Sequence, residues 1–157
     1  MPSIDARRTA QAAMESLRRA GQRGVLATGW GGLERLDGGP DMHVISSAPH
    51  AWLFPRCAAV VHHGGTGTTH QALRCGRPAV VCPIFGDQPF GAHRIAKSGA
   101  GSDPLPMKRF NAERLASRLA QALSPQIREK AESMGRLVRA ESGSERAVDV
   151  LERIMTG

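Results

Sequence analysis

The chain predicts an α/β fold: a Rossmann-like, largely parallel, doubly wound sheet flanked by helices. Three observations carry this. Short apolar runs recur at Gly24–Thr28, Met42–Ser46, Ala58–Val61 and Ala79–Cys82. Segments with helical spacing stand between most of them. A Gly-rich turn, Gly64-Gly65-Thr66-Gly67, joins the third run to a helix, at the kind of strand end where open parallel sheets bind ligands. At 157 residues the chain has the length of one domain with one core.

The elements follow in order. Ala6, Ala10, Ala13, Met14 and Leu17 recur at helical spacing from Asp5 to about Ala20, and Gly21 stops them. Strands over Gly24–Thr28 and Met42–Ser46 are separated by a Gly-rich loop, Gly29–Asp41. Ala58-Ala59-Val60-Val61 is uncharged and β-branched at its end, as a strand buried on both faces requires. Thr66–Cys75 reads as a helix closed by Gly76 with Pro78 just beyond, then Ala79–Cys82 as a strand and Asp87–Lys97 as a second crossover helix. A short strand is expected near Gly99–Ser102. Asn111 caps a helix through Leu123, Pro125 starts another to about Ala140, and Gly143-Ser144 precedes the last, which runs to Met155.

The turn after Val61 carries the chemistry. His62-His63-Gly64-Gly65-Thr66-Gly67-Thr68-Thr69 supplies small residues where the backbone turns sharply and approaches a ligand. The helix that follows aims free N–H groups, and a dipole end equivalent to about half a unit charge, at the space beyond the strand. The hydroxyls of Thr66, Thr68 and Thr69 and the imidazole of His63 add donors suited to an anion, and a diphosphate is the natural occupant. Glycines alone also make a plain strand-to-helix connection. No Gly-Lys-Ser/Thr follows and the spacing is not G-x-G-x-x-G, so neither a P-loop nor a dinucleotide fingerprint is present.

Residues 47–95, SAPHAWLFPRCAAVVHHGGTGTTHQALRCGRPAVVCPIFGDQPFGAHRI, resemble the donor-binding signature of UDP-dependent glycosyltransferases of the GT-B fold. Within that group they are most similar to sterol glucosyltransferases of bacteria and fungi and to glycosyltransferases that decorate antibiotics. The resemblance is dense over residues 44–105 and traceable over the rest. It implies that His63 contacts a donor phosphate, and that Gly65, Thr66, Gly67 and Thr68 hold the diphosphate with amides and hydroxyls. Asp87 and Gln88 match the pair that reads the hydroxyls of the transferred sugar, a carboxylate accepting and an amide both donating and accepting. Ser47, Pro49 and His50 match the segment that meets uracil, and Gln71 the position that meets the ribose.

Three positions depart from the pattern. Ser47 stands where plant members stack uracil on a Trp, Gln71 where they place a ribose-gripping Glu, and Gly91 where bacterial relatives carry a Trp. Trp52 lies near Ser47 and is read as packing of the helix that follows Pro49, with a substitute stacking role as the alternative.

The resemblance also implies what the chain does not hold. A complete enzyme of this type pairs an acceptor-binding N-terminal domain, carrying a catalytic His, with a donor-binding C-terminal one. Nothing before Ser47 resembles the former, so residues 1–157 are expected to be the donor-binding half alone, with no catalytic base. The start, Met1-Pro2-Ser3-Ile4-Asp5, runs directly into a helix, so the family's first strand with its Gly-Ser loop is expected to be absent. Losing that strand is expected to expose a sheet edge or leave its neighbour unpaired, and either promotes association. The last helix, which in the family braces the N-terminal domain, is expected to pack its apolar side locally or mediate self-association. The implied reaction is an inverting transfer of a hexose from UDP-sugar to a hydroxyl of a lipophilic acceptor such as a sterol or natural product, with no cofactor and no obligatory metal. The alternative is a nucleotide-sugar-binding subunit that joins a separately encoded acceptor domain. An epimerase on the same fold needs catalytic carboxylates and a base that the motif does not supply.

Composition restricts other classes. The net charge of +7 comes from 21 Lys and Arg against 14 Asp and Glu, but the basic residues are scattered. With no Tyr, 4 Phe and 2 Trp there is no stacking platform for single strands, so nucleic acid is not an expected partner. Cys57, Cys75 and Cys82 form no C-x-x-C pair and argue for a reducing compartment. His62, His63 and His70 do not make a zinc site, because adjacent His at a strand end point to opposite sides and no fourth ligand is suitably spaced. His62 is read as a strand-end packing or hydrogen-bonding residue. With no apolar run near the roughly 20 residues a membrane span needs and no signal peptide, a cytoplasmic protein is expected.

Overall fold

The computed structural model describes residues 5–29 and 37–156. Segment 1–4, on which the expectation of a missing first strand rests, and the middle of the 29–41 loop lie outside the described residues.

Helix α1 (Ala6–Arg19) begins where the Asp5 carboxylate accepts the Arg8 N–H at 3.1 Å. Strands β1 (Gly24–Ala27) and β2 (Met42–Ile45) follow, then the short α2 (His50–Leu53), which runs into a 3-10 turn over Phe54–Arg56. The motif region is built from β3 (Val60–His62), α3 (Thr66–Arg74), β4 (Ala79–Val81) and α4 (Gln88–Ser98), the last closed by Gly99 at φ 75°. Three helices complete the chain: α5 (Ala112–Ala122), α6 (Pro125–Ala140) and α7 (Gly143–Thr156). Asn111 caps α5 by accepting the Arg114 N–H at 2.8 Å, and Pro125 opens α6.

Both strand pairs are parallel, as the alternation of strands and helices predicts. Val60 lies opposite Ala79 and His62 opposite Val81, and a single bridge from Ala79 to Gly101 stands where a further strand is expected. The core is two-sided around β4. Val80 faces Leu105, Leu115, Leu119 and Ala122, joined by Ala13 and Leu17 of α1. Ala79 and Val81 point the other way, onto Ala92 and Ile95 of α4 and Leu73 of α3. This is the period of two expected of a strand between two helix layers.

One sheet is expected and two are found. Among the described residues β1 pairs with β2 and β3 with β4, and no ladder joins β1 to β3. The two pairs are held together from one face, where α1 packs on β1 and also on α5, which covers β4. Val25 of β1 and Val61 of β3 are 44% and 43% exposed, and among the described residues each strand has a hydrogen-bonded neighbour on one side only.

Elsewhere packing is tight. A Cβ on Gly135 of α6 would lie 2.7 Å from Gly76 Cα and 2.9 Å from the Leu73 carbonyl, so α6 seats against the end of α3 only through a glycine. Cys57, Cys75 and Cys82 are free thiols, and burial pushes that of Cys82 up to about 12. Helix α7 has no buried residue, and Val148, Val150, Leu151, Ile154 and Met155 are all exposed. Of the two alternatives expected for its apolar side, local packing or self-association, local burial is not found. No helix among the described residues is long and apolar enough to cross a membrane.

Candidate functional site

The candidate site is assembled where β3 and β4 end. After His62 the chain turns through Gly64 at φ 96°, a left-handed conformation that favours glycine. Space makes the same demand, since a Cβ there would lie 2.8 Å from Val81 Cγ1 and 3.4 Å from Gln88 Cβ. The turn is pressed directly onto the start of α4.

His62 holds the turn from behind. Its Nδ1 accepts the Gly64 N–H at 3.0 Å, which leaves the proton on Nε2. Nε2 is buried without a partner. Burial, then the neighbouring His63 and His50, pushes the pKa of His62 down to about 4, so the ring is neutral at pH 7. The sequence reading of His62 as a strand-end hydrogen-bonding residue holds.

His63 is exposed and its ring lies over Gly65, where a Cβ would come 2.6 Å from Nε2. Gly65 is the N-cap of α3 and offers no side chain, so the N–H groups of Thr66, Gly67 and Thr68 have no capping partner. A Cβ on Gly67 would meet nothing within 4 Å, which leaves the mouth of the turn open. Thr69 behaves differently from the expectation: its hydroxyl donates to the Gly65 carbonyl at 2.9 Å and is committed to the turn.

The Asp-Gln pair divides its work. Asp87 is exposed and makes no side-chain cap bond at the start of α4, so its carboxylate faces solvent free of the helix. Gln88 is 7% exposed, and its Oε1 accepts the N–H groups of Ile84 at 2.8 Å and Phe85 at 3.2 Å. Around it, Ile84, Phe85 and Phe90 are exposed apolar side chains that sequence reasoning did not single out.

On the other side, Pro49 is the N-cap of α2 and the His50 ring stacks on Phe54 at 4.5 Å and 14°. Ser47 is exposed in the link from β2. Trp52 does not pack the helix as expected: it is 56% exposed, with the Arg56 guanidinium 4.5 Å from its ring centroid. Gln71 is half-buried and donates from Nε2 to Cys75 Sγ at 3.2 Å. The structure thus sets the His63 ring over Gly65, His62 behind Gly64, and Gln88 against Gly64. Among the described residues no side-chain hydrogen bond joins Ser47 or Gln71 to this group. No three His, Cys, Asp or Glu side chains among the described residues come together as a metal site.

Parallel strands flanked by helices, with a Gly-rich turn and an acid-amide pair at their ends, place the chain in the α/β class, and the fold is that of GT-B glycosyltransferases. The chain superposes over 98% of its length on the kitacinnamycin glycotransferase, with a TM-score of 0.79 and 24% identity, covering 40% of that chain. The glycosyltransferase VinC, solved in complex with dTDP, matches 78% of this chain and 30% of its own at a TM-score of 0.67 and 28% identity. Residues 33–152 match the family described as Erythromycin biosynthesis protein CIII-like, C-terminal domain, and the chain belongs to that family of glycosyltransferase C-terminal domains. A sterol 3-beta-glucosyltransferase of Arabidopsis thaliana, UGT80B1, is 37% identical over 155 residues, 98% of this chain. The chain spans about a quarter, 25%, of that relative's length.

Proposed function

We propose that residues 1–157 are the donor-binding domain of a UDP-glycosyltransferase that transfers a hexose such as glucose, with inversion, to a hydroxyl of a lipophilic acceptor such as a sterol or natural product. The observation that carries this is the pairing of an open, uncapped Gly65–Thr68 helix start under the exposed His63 with a free Asp87 carboxylate one loop away. The dTDP bound by VinC and the sterol substrate in the name of UGT80B1 support a nucleoside diphosphate on one side and a lipophilic hydroxyl on the other.

In this reading His63 and the amides of Thr66, Gly67 and Thr68 hold the diphosphate. They stabilise the charge that grows on it as the bond to the anomeric carbon breaks, as preorganised donors and without an obligatory metal. Asp87 orients the hexose by accepting its hydroxyl protons, with Gln88 beside it. His50, Pro49, Ser47 and Gln71 line the nucleoside end. The base that deprotonates the acceptor belongs to an N-terminal acceptor domain, so residues 1–157 alone turn over no substrate. The enzyme works in the cytoplasm, where nucleotide sugars are made. The exposed apolar side of α7 favours a second reading, a binding subunit that meets its acceptor domain as a separate partner.

Calorimetric titration with UDP, UDP-glucose and dTDP tests the site. Saturable UDP binding that is lost in His63→Ala, with a sugar-dependent gain lost in Asp87→Ala, is the expected result. A folded chain that binds none of the three would overturn the assignment.

A further inference from the structure

Gln88 is placed to do something other than read a sugar. An amide carbonyl has two lone pairs, and the Oε1 of Gln88 accepts two bonds, from the Ile84 and Phe85 N–H groups. The opposite orientation would set the side-chain NH2 against two backbone donors, so the partners determine which way the amide faces. The exchange is reciprocal, since the Gln88 N–H reaches back to the Phe85 carbonyl at 3.4 Å. Little else holds this loop down. Ile84 and Phe85 are 45% and 59% exposed, so apolar burial contributes weakly there, and Gly86 turns through φ 65° immediately before Asp87. On its other side the Gln88 backbone lies against the Gly64 turn, where a Cβ on Gly64 would come 3.5 Å from the Gln88 carbonyl oxygen.

We propose that Gln88 is a positioning residue whose side-chain carbonyl clamps the Ile84–Gly86 loop, so that only its NH2 group remains for a ligand. The inference rests on the donor-site reading for its second half alone. It changes the recognition code of the pair: Asp87 accepts and Gln88 donates. A sugar is then held by one hydroxyl acting as donor and a neighbouring oxygen acting as acceptor, and Gln88 accepts no hydroxyl proton. It also couples the two ligand loops, because the residue that backs Gly64 is the residue that holds Asp87 in place.

Two variants separate clamp from contact. Gln88→Leu removes both halves of the amide, whereas Gln88→Glu keeps an acceptor for the two N–H groups and deletes the NH2 donor. Amide exchange measured by NMR on the ligand-free chain reads the clamp without reference to any sugar. In Gln88→Leu, exchange at Ile84 and Phe85 is expected to rise at least about tenfold, the effect of losing roughly 1.4 kcal/mol of hydrogen bonding, while Leu115 and Leu119 keep their protection. In Gln88→Glu the same two amides stay within about twofold of the original, since the charged acceptor is at least as strong. Unchanged exchange at Ile84 and Phe85 in Gln88→Leu, with the core protected, overturns the clamp. Titration then reads the donor: in Gln88→Glu the ratio of UDP-glucose to UDP affinity, which cancels any effect of the new charge on the diphosphate, is expected to fall to about one, and retention of the original ratio overturns the donor-only role. If the original chain binds no nucleotide, the donor-site reading and the donor role fall together, while the exchange result still decides the clamp.

Discussion

The two strand pairs of this domain are built to different standards. β4 lies between β3 and the Gly101 bridge, has a helix layer on each face and buries all three of its residues. β1 has one partner, and alternate residues along it are exposed. Every loop of the candidate donor site except the Ser47–His50 segment springs from the β3–β4 pair. The comparison teaches that the site is anchored on the sealed half, where Val81 and Gln88 support Gly64 from beneath. The β1–β2 pair hangs on it through α1. Precise ligand geometry needs rotamers locked by packing, and the sealed half is where this chain has them.

Substitutions on either side should separate the halves, beginning with the largest expected effect. Leu115→Ala, at a 2% exposed position in the core under Val80, is expected to cost about 3 kcal/mol. Val25→Ala in β1 should cost less than about 1 kcal/mol, since its side chain is already half in water. Urea denaturation of both variants checks this, and equal costs would mean that the β1–β2 pair is as tightly packed as its neighbour.

Stability against pH probes the turn. His62 has its pKa lowered to about 4 in the fold from an ordinary 6.5, so the unfolded chain binds the extra proton first. The contribution is fully present above pH 6.5 and is lost as the pH falls toward 4, by up to about 3 kcal/mol. The difference between the original chain and His62→Asn, followed by denaturation from pH 7.5 to 4, should show that slope in the former and lack it in the latter.

Gly135→Ala weighs two opposed effects. The helix gains about 1 kcal/mol of propensity, but the added methyl meets Gly76 backbone at 2.7 Å and forces α6 off the end of α3. Overpacking costs more than the gain, and a net loss of about 1–2 kcal/mol is expected in thermal denaturation. A stabilised variant would show that α6 shifts freely and that the sealed half is less rigid than its packing indicates. Smallest of all is removal of residues 143–157. No residue of α7 is buried, so the melting temperature should move by less than about 2 °C, an effect below roughly 0.5 kcal/mol. A large drop would mean that α7 is covered in solution by a second copy of the chain.

Legibility in the sequence follows the same division. The Gly64–Thr68 turn was legible because its chemistry is local: a positive φ and an uncapped helix start are properties of consecutive residues, whereas the Asp87-Gln88 step was singled out through the resemblance of residues 47–95 to a known family. The commitment of Thr69 to the Gly65 carbonyl is also local, but it depends on which way one hydroxyl rotates. Trp52 looked like a packing residue because tryptophan usually is one, and its exposure under Arg56 depends on where α2 sits. The half-committed amide of Gln88 was invisible because nothing in the string Ile84-Phe85-Gly86-Asp87-Gln88 says that the loop folds back on its own last residue.

By itself the sequence determined the alternation of strands and helices, their caps and the residue types at the strand ends, since these rest on periodicity and on the conformational limits of Gly, Pro, Asp and Asn. The tertiary structure alone decided that β1 and β3 do not pair with each other among the described residues, that no residue of α7 is buried, and that His62 and Gln88 lie behind the Gly64 turn. Those outcomes depend on burial and on hydrogen bonds to backbone groups that only the folded chain brings within reach.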